Sequence, residues 1–151
     1  MSAAVEGLEQ RFDAKVAEAL REYTRAGGYP HLLGLSVDVV EPGRIVVSLP
    51  VRAEICSVVG VVHGGAIASL VDHALSLVVY PLVERGKWVA TTEFKINYVE
   101  SVSLGAEGTL RVTAEVLSLK KRLAVARADV EHEGKLVAHA MGTLYVKDPA
   151  R

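Results

Sequence analysis

The chain has one cysteine among 151 residues, Cys56, so it can form no internal disulfide, and a reducing cytoplasm is the expected compartment. It has no surplus of either charge: 17 Lys and Arg against 18 Asp and Glu leave a formal net charge of −1. That excludes a general basic field for nucleic acid or for an anionic membrane. The first residues, Met1-Ser2-Ala3-Ala4-Val5-Glu6, carry neither the basic nor the apolar region of a signal peptide. Tandem repeats, low-complexity tracts and a DNA-binding segment are all missing. His63, Asp72, His73, His132 and His139 show no ligand-pair spacing of the zinc type, so no metal or other cofactor is expected. The apolar run from Ala66 to Val83 is shorter than the roughly 20 residues a bilayer needs, and Asp72, His73 and Pro81 interrupt it, so no membrane span is expected.

What is present suits one compact domain: half of the residues are hydrophobic, and the chain is long enough to bury a core. Val5, Leu8, Phe12, Val16, Leu20 and Tyr23 recur at helical spacing and predict an amphipathic helix at about 5–25, ended by Gly27-Gly28. Strands are predicted from Leu32 to Val40 and from Arg44 to Val51, joined by the turn Glu41-Pro42-Gly43. A loop at 52–62 leads to a central helix that Pro81 ends or kinks. After Gly86 the chain reads as β only: 88–100, 108–120, 123–132 and 136–147. In the first of these strands Phe94, Ile96 and Tyr98 alternate with Glu93, Lys95 and Asn97. The reading is an α+β fold, an antiparallel sheet curled around one helix. Residues 1–25 form an N-terminal helical extension and 26–151 the main domain. Val125, Val130 and Val137 are expected on the sheet face turned away from the helix, where part of that apolar surface would cover a subunit interface.

The central helix, His63 to Tyr80, is apolar or small on all faces, which places it inside the fold. Within it stands Asp72, a residue type seldom buried without a partner. Gly64 and Gly65 open the helix, where unpaired backbone N–H groups and a partial positive charge await an anion, and where the lack of side chains lets a ligand approach. This is the composition of an oxyanion hole. Asp72 lies eight residues beyond Gly64, about 12 Å along the axis. One carbonyl could meet both only if a second, antiparallel subunit contributed one of them. The other reading is a core carboxylate satisfied by the backbone, by Ser69 or by Ser76.

The segment Gly60-Val61-Val62-His63-Gly64-Gly65, followed after six residues by Asp72, resembles the signature of hotdog-fold acyl-CoA thioesterases, in the branch typified by the phenylacetate-pathway enzymes. The order of elements resembles that fold along nearly the whole chain. The resemblance implies Asp72 as catalytic general base or nucleophile, and Gly64 as the N–H that polarises the thioester carbonyl. Gly65 would extend the turn, His63 would shape it and touch the substrate, and Thr91 would help orient water. Many relatives carry Asn where this chain has Ser57, and serine reaches less far. The resemblance further implies an acyl-CoA substrate, no metal or redox cofactor, and a homodimer or a homotetramer of paired dimers. A rival without catalysis is an acyl-CoA-binding protein of the same fold, which needs no acid.

The remaining polar residues have plainer readings. His73 points about 100° away from Asp72, so the two share no face, and a packed or interfacial histidine is expected. Nothing basic is placed by sequence to activate Cys56, which reads as a small buried hydrophobe. Ser69 lacks the elbow motif of serine hydrolases. Lys120-Lys121-Arg122 reads either as the solvated end of two strands or as a basic rim for the phosphates of coenzyme A.

Overall fold

The computed structural model describes residues 6–106 and 108–149. The N-terminal helical pattern resolves into α1 (Leu8–Arg11) and α2 (Ala14–Ala26). The single expected helix breaks because Phe12 is extended and Asp13 caps a new start, its carboxylate accepting from the N–H groups of Lys15 and Val16 at 3.0 and 3.2 Å. A third helix, α3 (Gly28–Leu33), occupies the place where the first strand was expected to begin. Pro30 is tolerated in its first turn, and Gly34 at φ 78° ends it in the left-handed conformation that glycine adopts most cheaply. The Leu32-Leu33 pair therefore belongs to a helix and not to the strand that follows.

Six antiparallel strands come next: β1 (Ser36–Glu41), β2 (Arg44–Pro50), β3 (Trp88–Tyr98), β4 (Thr109–Leu119), β5 (Leu123–His132) and β6 (Lys135–Lys147). Their order across the sheet is β1-β2-β4-β5-β6-β3. Between β2 and β3 the chain leaves the sheet to form α4 (Gly64–Leu77), which lies across the concave face. Leu70, Val71, Ala74 and Leu75 are fully buried there against Val47, Val112, Ala126 and Leu144. Each such Val or Leu side chain contributes about 1.5–3 kcal/mol, and each alanine methyl less. The stretch Gly64–Leu82 is long and apolar enough to cross a membrane by length and composition, yet 61% of its most apolar window is buried inside the sheet. It is the core helix of a hotdog fold.

Two expectations are corrected. Val130 and Val137 are buried, at 0 and 1% exposure, on the helix side of the sheet, leaving Val125 partly exposed. Val130 simply continues the buried alternation of Ala124, Ala126 and Ala128. Irregular register between Val130 and Glu131 leaves Val137 as an extra residue of β6 and so turns it inward beside Ala138. The outer face instead carries cross-strand pairs, Arg127–Glu115 at 2.6 Å and His139–Asp129 at 2.5 Å. The central helix is also not apolar all round. Gly65, Ser69, Asp72 and Ser76 fall on one side of α4, spaced four, three and four apart, and form a small, polar strip that the single chain leaves open.

Candidate active site

The first turn of α4 is held from several sides. His63 caps it, extended at φ −67° and ψ 134°, with Nδ1 accepting the Gly65 N–H at 2.8 Å. A neutral His63 ring therefore carries its proton on Nε2, the nitrogen turned away from the helix. The His63 carbonyl accepts from Ala66 and Ile67. Of the N–H groups that open the helix, only that of Gly64 has no hydrogen-bond partner among the described residues. Ser69 Oγ donates to the Gly65 carbonyl at 2.8 Å and lies 2.9 Å from the Tyr29 hydroxyl of α3.

Asp72 is exposed, not enclosed, because its strip of α4 lies beside β3 and is left uncovered by the sheet. No hydrogen bond ties its side chain to Ser69 or Ser76; both serines donate back to α4 carbonyls instead. The carboxylate borders an open concavity of about 510 Å³, shared with Ser76 and with Val89 and the whole run Thr91-Thr92-Glu93-Phe94 of β3. Thr91 reaches this concavity through a β-bulge. Thr91 pairs with Leu144 and Glu93 with Thr143, leaving Thr92 as the extra residue, its hydroxyl donating to the Thr143 carbonyl at 2.9 Å. The insertion puts Thr91 on the same side of β3 as Phe94, Ile96 and Tyr98. Strict alternation would have grouped it with Glu93, Lys95 and Asn97.

Ser57 lies in the loop before α4, where its hydroxyl donates to the Val61 carbonyl at 3.1 Å. Cys56 is half-buried, its thiol donating to the Arg52 carbonyl at 3.3 Å. Among the described residues no group of three or more His, Cys, Asp or Glu is arranged to hold a metal ion.

His73, next to Asp72 in sequence, points the other way, into α2. Its Nε2 lies 3.1 Å from the hydroxyl of Thr24, which is fully buried. Burial pushes the His73 pKa down to about 4, against a smaller opposing pull from the Asp72 charge. An unfolded His73 takes up its proton near pH 6.5, whereas the folded one stays neutral, so the unfolded state binds more protons between these values. Stability should thus be complete above pH 6.5 and fall by about 3 kcal/mol as the pH drops to 4. Urea midpoints measured across that range check this, and His73→Asn should flatten the dependence.

Lys120, Lys121 and Arg122 form the exposed β4–β5 turn and border a second, larger cleft of about 950 Å³. Arg11, Arg85, Lys87 and Lys147 join them there, seven cations against the carboxylates of Asp13, Glu84 and Asp148. Arg85 is engaged by Asp13 at 2.6 Å, and this guanidinium holds the Asp13 carboxyl down to about 2. Lys87 donates to Asp148 at 2.5 Å. The turn cations make no ion pair among the described residues. Spacing in sequence pointed to the Lys120–Arg122 turn alone; the other four cations come from distant segments and gave no local signal. Lys87, just before β3, borders this cleft, and Val89, near the start of β3, borders the first concavity.

A helix embraced by a six-stranded antiparallel sheet in the order β1-β2-β4-β5-β6-β3 is the hotdog fold of thioester hydrolases. The pattern that describes the thioesterase superfamily matches residues 59–139. Acyl-coenzyme A thioesterase 13 of Homo sapiens is 29% identical over 132 residues, covering 85% of this chain and 92% of that protein. A conserved protein of Pseudomonas aeruginosa is 34% identical, with a TM-score of 0.75 over 82% of this chain and 97% of that one. A Haemophilus influenzae thioesterase shares the fold at a TM-score of 0.79, with 24% identity over 87% of this chain and 90% of that one. The chain belongs to the thioesterase superfamily.

Proposed function

We propose that this thioesterase hydrolyses acyl-CoA to a free carboxylic acid and coenzyme A, in composite sites formed by two copies of the chain. The observation that carries the reading is the pairing of an unpartnered Gly64 N–H with Asp72 on the open strip of the same helix. Either Asp72 removes the proton of a water molecule that attacks the thioester carbonyl, or the Asp72 carboxylate itself attacks. In the second case an acyl anhydride forms as the thiolate leaves, and water then hydrolyses that anhydride to the acid. Gly64 N–H donates to the oxygen that gains charge, His63 Nε2–H lies at the substrate end of the turn, and Thr91 orients the water. In both routes the C–S bond breaks and releases a thiolate. Such a thiolate has a pKa near 8.5, so it needs no strong general acid. No metal or redox cofactor enters this scheme.

The eight residues from Gly64 to Asp72 hold the two groups about 12 Å apart along one helix. An antiparallel second copy closes that gap. The open strip on α4 and the β3 edge, which pairs with nothing beyond it among the described residues, are the surfaces available for this copy. Pairing of such dimers into tetramers in the cytoplasm completes the reading.

Lys120, Lys121 and Arg122 bind the phosphates of coenzyme A in this scheme. The double variant Lys120→Ala, Arg122→Ala should raise KM for acyl-CoA about tenfold, removing two exposed charges worth under 1 kcal/mol each. The effect should shrink at high salt. KM for the same acyl group on N-acetylcysteamine, which has no phosphate, should not move.

The reading as a whole is tested by release of free thiol from short-chain, medium-chain and aryl-acetyl CoA esters. Turnover of at least one is expected. Binding of acyl-CoA with no thiol released from any of them would establish a binding protein instead.

A further inference from the structure

We infer that Tyr98 is a positioning residue for the oxyanion donor. The inference rests on the thioesterase reading and concerns a residue outside the His-Gly-Gly…Asp pattern. Tyr98 sits at the end of β3, and its hydroxyl donates to the Gly64 carbonyl at 2.8 Å. Its ring lies against the bare Cα of Gly64: a Cβ there would meet the ring and hydroxyl at 3.3–3.5 Å.

The contact fixes a particular plane. The peptide unit between Gly64 and Gly65 offers one carbonyl and one N–H. Tyr98 grips the carbonyl, and His63 Nδ1 grips the N–H at 2.8 Å. Two successive glycines are the least restrained dipeptide available, and the first turn of a helix is where fraying concentrates. The Gly64 N–H itself belongs to the preceding peptide unit, whose His63 carbonyl accepts from Ala66 and Ile67. Rotation about the two bonds at the Gly64 Cα would still let that unit and the next tilt against each other. With the next peptide plane held at both ends, the donor keeps its aim before substrate arrives, which is the condition for an oxyanion donor to act without reorganisation.

The strand that supplies Tyr98 is also the one that supplies Thr91, and the bulge at Thr92 turns both side chains to the helix side. One element thereby sets the donor through Tyr98 and borders the acid through Thr91. A packing role alone would need the Tyr98 ring but not its hydroxyl.

Tyr98→Phe keeps the ring and removes the hydroxyl. Losing an oxyanion donor outright costs 10²–10³-fold, so a donor present but loosely aimed should cost about tenfold in kcat, with KM unchanged. Binding of a CoA ketone that forms a tetrahedral hydrate should weaken by about the same factor. Binding of an S-alkyl CoA thioether, which develops no oxyanion, should stay the same. Thermal midpoints of the two proteins should agree within about 2 °C, since the hydroxyl is exposed and can bond to water instead. Equal kcat in the two proteins, or equal weakening of both analogues, would overturn the assignment while leaving the thioesterase reading intact. A wild-type protein that releases no thiol from any ester would overturn both.

Discussion

Asp72→Asn should lower kcat for thiol release by about three orders of magnitude and leave KM nearly unchanged, because the amide keeps the shape of the acid but neither accepts a proton nor attacks carbon. The matching change at the other half of the site is Gly64→Pro. Proline lacks the N–H, is tolerated at the first position of a helix, and needs an extended residue before it; His63, at φ −67° and ψ 134°, already is one. The Tyr98 ring must yield by a few tenths of an ångström to admit the new side chain. Loss of the donor should cost about 10²–10³-fold. Each variant alone is then nearly inactive. When the two are unfolded together and refolded as a mixture, about half the dimers should be hybrids, each with one intact site of two, restoring roughly a quarter of the wild-type rate. Sites contained within single chains would show no recovery, which would eliminate the composite arrangement.

Gly142→Ala should destabilise the protein by about 3 kcal/mol, at the upper end of the usual cost of overfilling a core. Gly142 faces α4 from the middle of β6. A Cβ there would stand 2.8 Å from Phe94 Cβ, 2.9 Å from the Glu93 carbonyl and 3.1 Å from Leu75 Cδ1. The first two are fixed to the backbone of β3, so relief requires that strand to move as a unit. For a chain of this size the thermal midpoint should fall by about 6–12 °C. Because β3 also carries Thr91 and Tyr98, kcat should fall even at temperatures where the variant is folded. A midpoint within 1 °C of wild type would show that β3 does not lie this close to β6.

Much of this was legible in the residues themselves. The run from His63 to Tyr80 read as one buried helix, because its aliphatic side chains leave almost no polar face, and the structure keeps it as α4 up to Leu77. Long alternating segments after Gly86 read as strands of the sheet around it. The spacing from Gly64 to Asp72, fixed by helical rise, already required two helices if both groups were to serve one carbonyl. Local patterning failed where a single residue changed the outcome. Asp13 started a new helix inside an unbroken 3.6-residue period, and Gly34 closed a helix where two leucines looked like the start of a strand.

Sequence alone therefore determined the helix, the strands and the chemical types at the site, since each depends on periodicity or on residues a few positions apart. Tertiary structure decided which groups meet. The extra residue Thr92 turned Thr91 toward the acid, and the open side of α4 left Asp72 exposed instead of enclosed. The cationic cleft drew together Arg11, Lys87 and the Lys120–Arg122 turn, and the Tyr98 hydroxyl came to rest on Gly64, 34 residues away. Contacts of that kind depend on register and on the path of the chain in space, and a bulge or a cap of one residue is enough to redirect them.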